Sequence, residues 1–169
     1  DEKAQSGMII EYEALDDRSG HEAGRALLRR MYARHIGGQM PQILPAERGK
    51  PYFAQGNVHF SISHTKSHVF CVLADRPVGI DAEELDRAVT PRLAEKILSP
   101  GELAQYQAAE DQNRALLTFW VLKEAAAKMS GEGLRGYPDH TNFALTDPRV
   151  TEIDNCLVAV ITEGGHHAF

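Results

Sequence analysis

The stretch Val78-Gly79-Ile80-Asp81-Ala82-Glu83 decides how the chain is read. It follows a turn, Asp75-Arg76-Pro77, and alternates apolar with small or charged residues, the period of a strand. Val78, Ile80 and Ala82 then share one face, and Gly79, Asp81 and Glu83 the other. Two carboxylates two residues apart on a strand face stand about 6–7 Å apart at the backbone. Unshielded, they repel by about 2–3 kcal/mol at an effective dielectric of about 20. A hard divalent cation held between them turns that cost into binding. Gly79, just ahead on the same face, leaves room for a ligand's close approach. A solvated edge strand with two surface acids is the plainer reading of the same residues.

A second stretch, Trp120-Val121-Leu122-Lys123-Glu124-Ala125-Ala126-Ala127-Lys128, has the composition of a helix. Trp120, Lys123, Glu124, Ala127 and Lys128 recur at spacings of three and four and so fall on one stripe. Glu124 and Lys128 are in the favourable i, i+4 order, worth under about 0.5 kcal/mol as a surface pair. A large aromatic on the stripe argues that it faces protein, where a third carboxylate and a lysine need partners.

A chain of 169 residues is long enough for one domain with a good core. Its 18 basic and 24 acidic residues leave a net charge of −6, so nothing draws it to nucleic acid or an anionic membrane surface. No apolar run reaches the length of a membrane span, and no signal-peptide pattern is present. Cys71 and Cys156 lie in apolar runs without zinc or CxxC spacing, so buried free thiols in a reducing cytoplasm are expected. Asp1–Gly7 reads as a leftover of expression, with Met8 the natural start.

In order along the chain, Met8–Leu15 reads as a strand and His21–Ile36 as a helix. The helix has a stripe of Leu27, Leu28, Met31, Tyr32, His35 and Ile36, and Gly37-Gly38 stops it. Pro41–Gln55 reads as a loop. Asn57–Ser63 and Ser67–Ala74 read as a hairpin. Thr90-Pro91 and Ser99-Pro100-Gly101-Glu102 each open a helix, with Glu102 at the capping-box position. A long helix spans about Gln112 to Met129, stopped by Gly131 and Gly133. Asn142–Leu145 and Cys156–Thr162 read as closing strands, and His166-His167 belongs to a tail. Strand, helix and hairpin thus occur twice, which predicts an α+β domain of two similar halves, about 8–76 and 77–163.

Four polar clusters remain: Lys50-Pro51, Ser61-Ile62-Ser63-His64-Thr65, Asp81 with Glu83, and Lys123-Glu124 with Lys128. Acids that hold a metal beside basic groups and hydroxyls that hold phosphate make a coherent set. Gly49-Lys50-Pro51, Phe60-Ser61-Ile62-Ser63-His64, Val78–Glu83, Leu98-Ser99-Pro100-Gly101-Glu102 and Trp120–Lys128, in this order, resemble the 4′-phosphopantetheinyl transferase superfamily across most of 49–136. The resemblance implies that Asp81, Glu83 and Glu124 ligate Mg²⁺ or Mn²⁺. It implies that Lys128 neutralises the pyrophosphate of coenzyme A and protonates the departing 3′,5′-ADP. Lys50, Ser63 and His64 are implied to bind the 3′-phosphate and diphosphate region, with Lys123 beside them. Arg25 matches the family's helix arginine at the nucleotide end. Glu124 is implied to take the proton of the attacking serine hydroxyl on an acyl or peptidyl carrier protein, and Asp81 is counted with the catalytic groups. Ala26 departs from the family where a hydroxyl residue often stands, with Arg29 or Arg30 as nearby substitutes. The implied state is a monomer with the site at the junction of the halves. A coenzyme A-binding relative without turnover and a metal-dependent phosphoesterase are the other classes weighed. The second expects a two-metal histidine or aspartate cluster that the eight scattered histidines do not form.

Overall fold

The computed structural model describes residues 7–45, 50–131 and 141–164. The expectations placed on residues 1–6, 48–49, 133 and 166–167 lie outside the described residues. Strand β1 (Met8–Ala14) leads to helix α1 (Gly20–His35), the short strands β2 (Ile43–Pro45) and β3 (Pro51–Phe53), then β4 (His59–His64) and β5 (His68–Ala74). Strand β6 (Val78–Glu84) is followed by α2 (Pro91–Ile97), α3 (Pro100–Ala108), α4 (Gln112–Ser130), β7 (Val150–Ile153) and β8 (Cys156–Thr162).

The long strands make two antiparallel sheets, in the order β1-β5-β4 and β6-β8-β7. In sequence order each sheet places its first strand, then its third, then its second. The central strands explain the layering. His68-Val69-Phe70-Cys71-Val72-Leu73-Ala74 is apolar on both faces because both are covered. Its Val69, Cys71 and Leu73 pack with Phe60 against Ala23, Leu27, Leu28 and Met31 of α1. Its Phe70, Val72 and Ala74 pack against Val78, Ile80, Ala82, Val158 and Val160 of the second sheet. That sheet turns Leu157, Ala159 and Ile161 toward Leu117, Val121, Leu122 and Ala125 of α4. The result is a mixed α/β stack of helix, sheet, sheet and helix. Each fully buried Leu, Val or Ile in it contributes about 1.5–3 kcal/mol.

Three expectations are corrected. The stretch 41–55 is not all loop, because Ile43 pairs with Phe53 and Leu44 with Tyr52 in a short ladder. Asn142–Leu145 is not a strand, because its amides are taken by side chains of α3. The Phe143 N–H donates to Glu102 Oε2 (2.8 Å) and the Leu145 N–H to Gln105 Oε1 (3.0 Å). The hairpin partner of β8 is instead Val150–Ile153. Asp154 (φ 45°) and Asn155 (φ 65°) turn the chain between them, as a two-residue hairpin with both centres left-handed requires. The apolar stripe of α1 also ends early, since Ile36 is 47 % exposed.

Candidate functional site

The acid-bearing strand β6 lies at the edge of its sheet, and an open edge leaves backbone groups that need partners. Here side chains supply them. The N–H of Ile80 donates to Ser61 Oγ and that of Ala82 to Ser63 Oγ, each at 3.1 Å. Lys50 Nζ donates to the carbonyl of Val78 (3.3 Å), and Lys128 Nζ to that of Ile80 (2.9 Å). Alternation along β4 directs this, since Phe60 faces α1 and the two serines fall on the opposite side. The remaining donors of Lys50 and Lys128 reach Met129 O (3.3 Å), Ile62 O (3.2 Å) and Asp81 Oδ1 (3.3 Å). Ser63 is buried and its hydroxyl also donates to Asp81 Oδ1 (3.5 Å). In this structure it joins the two sheets. Burial, with Lys128 nearby, holds the Lys50 ammonium below its ordinary value.

On the other face of β6, Gly79 admits a close neighbour, but that neighbour is a helix and not a ligand. A Cβ there would stand 2.0 Å from the carbonyl oxygen of Ala125 and 2.5 Å from the nitrogen of Met129. The bare glycine therefore seats α4 on the strand, with Glu124 and Lys128 beside Asp81. Burial pushes the Asp81 carboxyl up to about 7; Lys128 opposes the rise and the charges of Glu124 and Glu83 add to it. Glu124 is raised by burial and by Glu83, against Lys128. Glu83 is held by Arg87 (2.6 Å) and the Trp120 indole N–H (3.2 Å). Asp81 Oδ2 is buried with no hydrogen-bond partner. An orphaned carboxylate oxygen between two further acids is what a hard divalent cation would satisfy, so the residues fit one.

The Asp81 proton is held more tightly in the folded state than in the unfolded chain. This carboxyl therefore favours folding below about pH 4, and that contribution is lost as pH climbs through 7. Asp81→Asn is expected to raise the melting temperature in EDTA, with a gain that grows from pH 4 to 7 at about 1.4 kcal/mol per pH unit at most. Thermal scans across that range check it; a variant less stable than the parent at pH 8 would contradict the burial of an ionised acid.

Lys123, expected beside the phosphate-binding groups, is tied to α3. It is 0 % exposed, pairs with Glu102 Oε1 at 2.6 Å and donates to the Thr141 hydroxyl. Five residues of helix place Lys123 and Lys128 about 140° apart, so the stripe splits between two neighbours. Lys128 faces β6, whereas Lys123 faces α3. Glu102 forms the expected capping box with Ser99. Burial would raise its carboxyl, but Lys123 and the N–H groups of Ser99 and Phe143 hold it below the ordinary value.

A cleft of about 350 Å³ brings Arg25 and His64 together, lined also by His21, Gly20, Pro51 and Ile62. A Cβ on Gly20 would meet the His64 ring at 2.3 Å, so glycine makes room for the imidazole. The N-terminus of α1 opens onto this cleft and favours an anion there. His21 was not singled out from sequence, although its spacing of four from Arg25 on one helix was a usable signal. Of the substitutes for Ala26, Arg30 is drawn away to Glu13 (2.5 Å).

Strand, lysine-bearing helix and cleft define a class. The family model for the 4′-phosphopantetheinyl transferase superfamily matches residues 77–161, and the chain belongs to that superfamily. It is 34 % identical over 104 residues to a 4′-phosphopantetheinyl transferase of Bacillus subtilis, covering 60 % of this chain and 46 % of the relative. It is 35 % identical over 124 residues to the transferase psf-1 of Bacillus pumilus, covering 67 % and 52 %. To the transferase HetI of Nostoc it is 27 % identical over 166 residues, covering 84 % and 70 %. The chain spans about half the length of the first two.

Proposed function

We propose that this chain transfers 4′-phosphopantetheine from coenzyme A to a serine of an acyl or peptidyl carrier protein and releases 3′,5′-ADP. The observation that carries the reading is the unpartnered, buried Asp81 oxygen beside Glu83, Glu124 and Lys128. Asp81, Glu83 and Glu124 would hold Mg²⁺ or Mn²⁺, which supplies charge neutralisation at the pyrophosphate. Arg25 and His64, at the positive end of α1, bind the nucleotide phosphate in the cleft. Lys50 and Lys128 add positive charge at the junction of the sheets, where the pyrophosphate lies. Lys128 exchanges its contact with Asp81 for the phosphate and protonates the leaving group. Glu124, whose raised carboxyl makes it the stronger base, takes the proton of the serine hydroxyl. Positioning and charge neutralisation supply most of the rate in such a transfer.

The shared strand order of the two sheets supports two similar halves, about 8–76 and 77–163, forming one domain. On this reading the chain acts as a monomer in the cytoplasm, without nucleic acid or membrane. The free, buried thiols of Cys71 and Cys156 suit a reducing compartment. No helix among the described residues is long and apolar enough to cross a membrane.

The test is the intact mass of an apo carrier protein after incubation with this chain, coenzyme A and Mg²⁺. The expected result is a gain of one phosphopantetheine, lost with EDTA and lost in Asp81→Ala. Coenzyme A binding with no mass gain on carriers of several pathways would overturn transfer in favour of binding alone.

A further inference from the structure

We propose that His68, Glu84 and Cys156 form a zinc-type metal site at the end of the layer between the two sheets, separate from the acid cluster. Each offers one ligand atom, and the three atoms lie within 4.8 Å of one another. They come from β5, β6 and β8, and Glu84 and Cys156 stand directly opposite in the ladder. The site is a break in an apolar pattern. Val78, Ile80 and Ala82 line the inter-sheet face of β6, and packing alone would continue it with another apolar side chain. Instead the face ends in a buried carboxylate, just where a thiol and an imidazole arrive.

The surroundings resemble the outer support of a metal centre. His68 Nδ1 is 2.7 Å from Ser67 Oγ, which in turn donates to Glu84 Oε2. The other ring nitrogen, Nε2, stands 3.4 Å from Asp154 Oδ2. A carboxylate behind a ligating histidine fixes its tautomer and orientation. The Cys156 thiol donates to Glu84 Oε2 (3.2 Å) and contacts the Thr65 hydroxyl (3.8 Å). A set of imidazole nitrogen, carboxylate oxygen and thiolate sulfur selects zinc over Mg²⁺ or Ca²⁺, which take oxygen alone. Neighbouring ligands of tetrahedral zinc lie about 3.3–3.8 Å apart, so a contraction of about 1.5 Å at most completes the site. On binding, the sulfur–metal bond replaces the S–H bond of Cys156, and its proton leaves to solvent; no electron is transferred. Three protein ligands leave the fourth position to water. A metal here ties the first sheet to the second at the β4–β5 turn.

The probe is Co²⁺ added to the metal-stripped chain, read by absorption, followed by displacement with Zn²⁺ in native mass spectrometry. The expected result is one equivalent with a sulfur-to-cobalt charge-transfer band and tetrahedral d–d bands, unchanged in Asp81→Asn. Cys156→Ser should abolish the charge-transfer band. His68→Gln and Asp154→Asn should weaken binding at least tenfold. Asp154→Asn lies in an exposed turn and tests the assignment should Cys156→Ser fail to fold. Absence of the sulfur band in the unchanged chain, or a band that survives Cys156→Ser, would overturn the site.

Discussion

Gly79→Ala is expected to cost at least about 3 kcal/mol of stability, the upper end of what overpacking does. The added carbon would stand against the Ala125 oxygen and the Met129 nitrogen, at 2.0 and 2.5 Å. Residues 125 and 129 are four apart, so these two atoms are the ends of one helical hydrogen bond. Neither can yield as a flexible side chain would. Relief requires α4 to lift from β6, which also withdraws Glu124 and Lys128 from Asp81. Stability and carrier modification should therefore fall together. Chemical denaturation and the carrier mass assay are the measurements. A variant within 1 kcal/mol of the parent that still modifies the carrier would show that helix and strand do not meet as described.

Lys123→Ala is the second large effect. It leaves the Glu102 carboxylate fully buried beside an empty volume, and breaking such a pair costs about 3–5 kcal/mol. The damage should spread, because Glu102 also caps α3 and holds the backbone at Phe143. Replacing both partners, Glu102→Gln with Lys123→Met, removes the charges together and should recover most of the loss. Denaturation of the four proteins in that cycle gives the coupling. The double variant also decides the lysine's role. Carrier modification with an unchanged KM for coenzyme A is expected of a structural residue, whereas a raised KM would return Lys123 to the ligand side.

What could be read from sequence was local. The alternation of Val78–Glu83 and the helical spacing of Gln112–Met129 come from near neighbours, and both elements formed within a residue or two of their expected ends. Asp81 and Glu124 were recognisable because a carboxylate on a buried face is rare without a partner. Asn142–Leu145 misled because Phe143 and Leu145 look like strand residues, while α3, forty residues earlier, claims their amides. The contacts of Ser63 were not legible, because a serine beside a histidine says nothing of the strand edge it will face. His68, Glu84 and Cys156 gave no signal, since only the pairing of β5, β6 and β8 brings them together. In each case the deciding partner is distant in the chain.

The way β6 is finished along its open side has a consequence for solubility. An uncovered strand edge templates pairing with a second molecule, and proteins suffer aggregation where it is left bare. Here the edge is read by two hydroxyls and two ammonium groups instead of another strand. Those groups fill the positions that an incoming strand would need, and the lysines add a charge such a strand would have to bury. The residues that join the two sheets thereby protect the chain from its own copies. Removing them is expected to promote association between molecules as well as to damage the site.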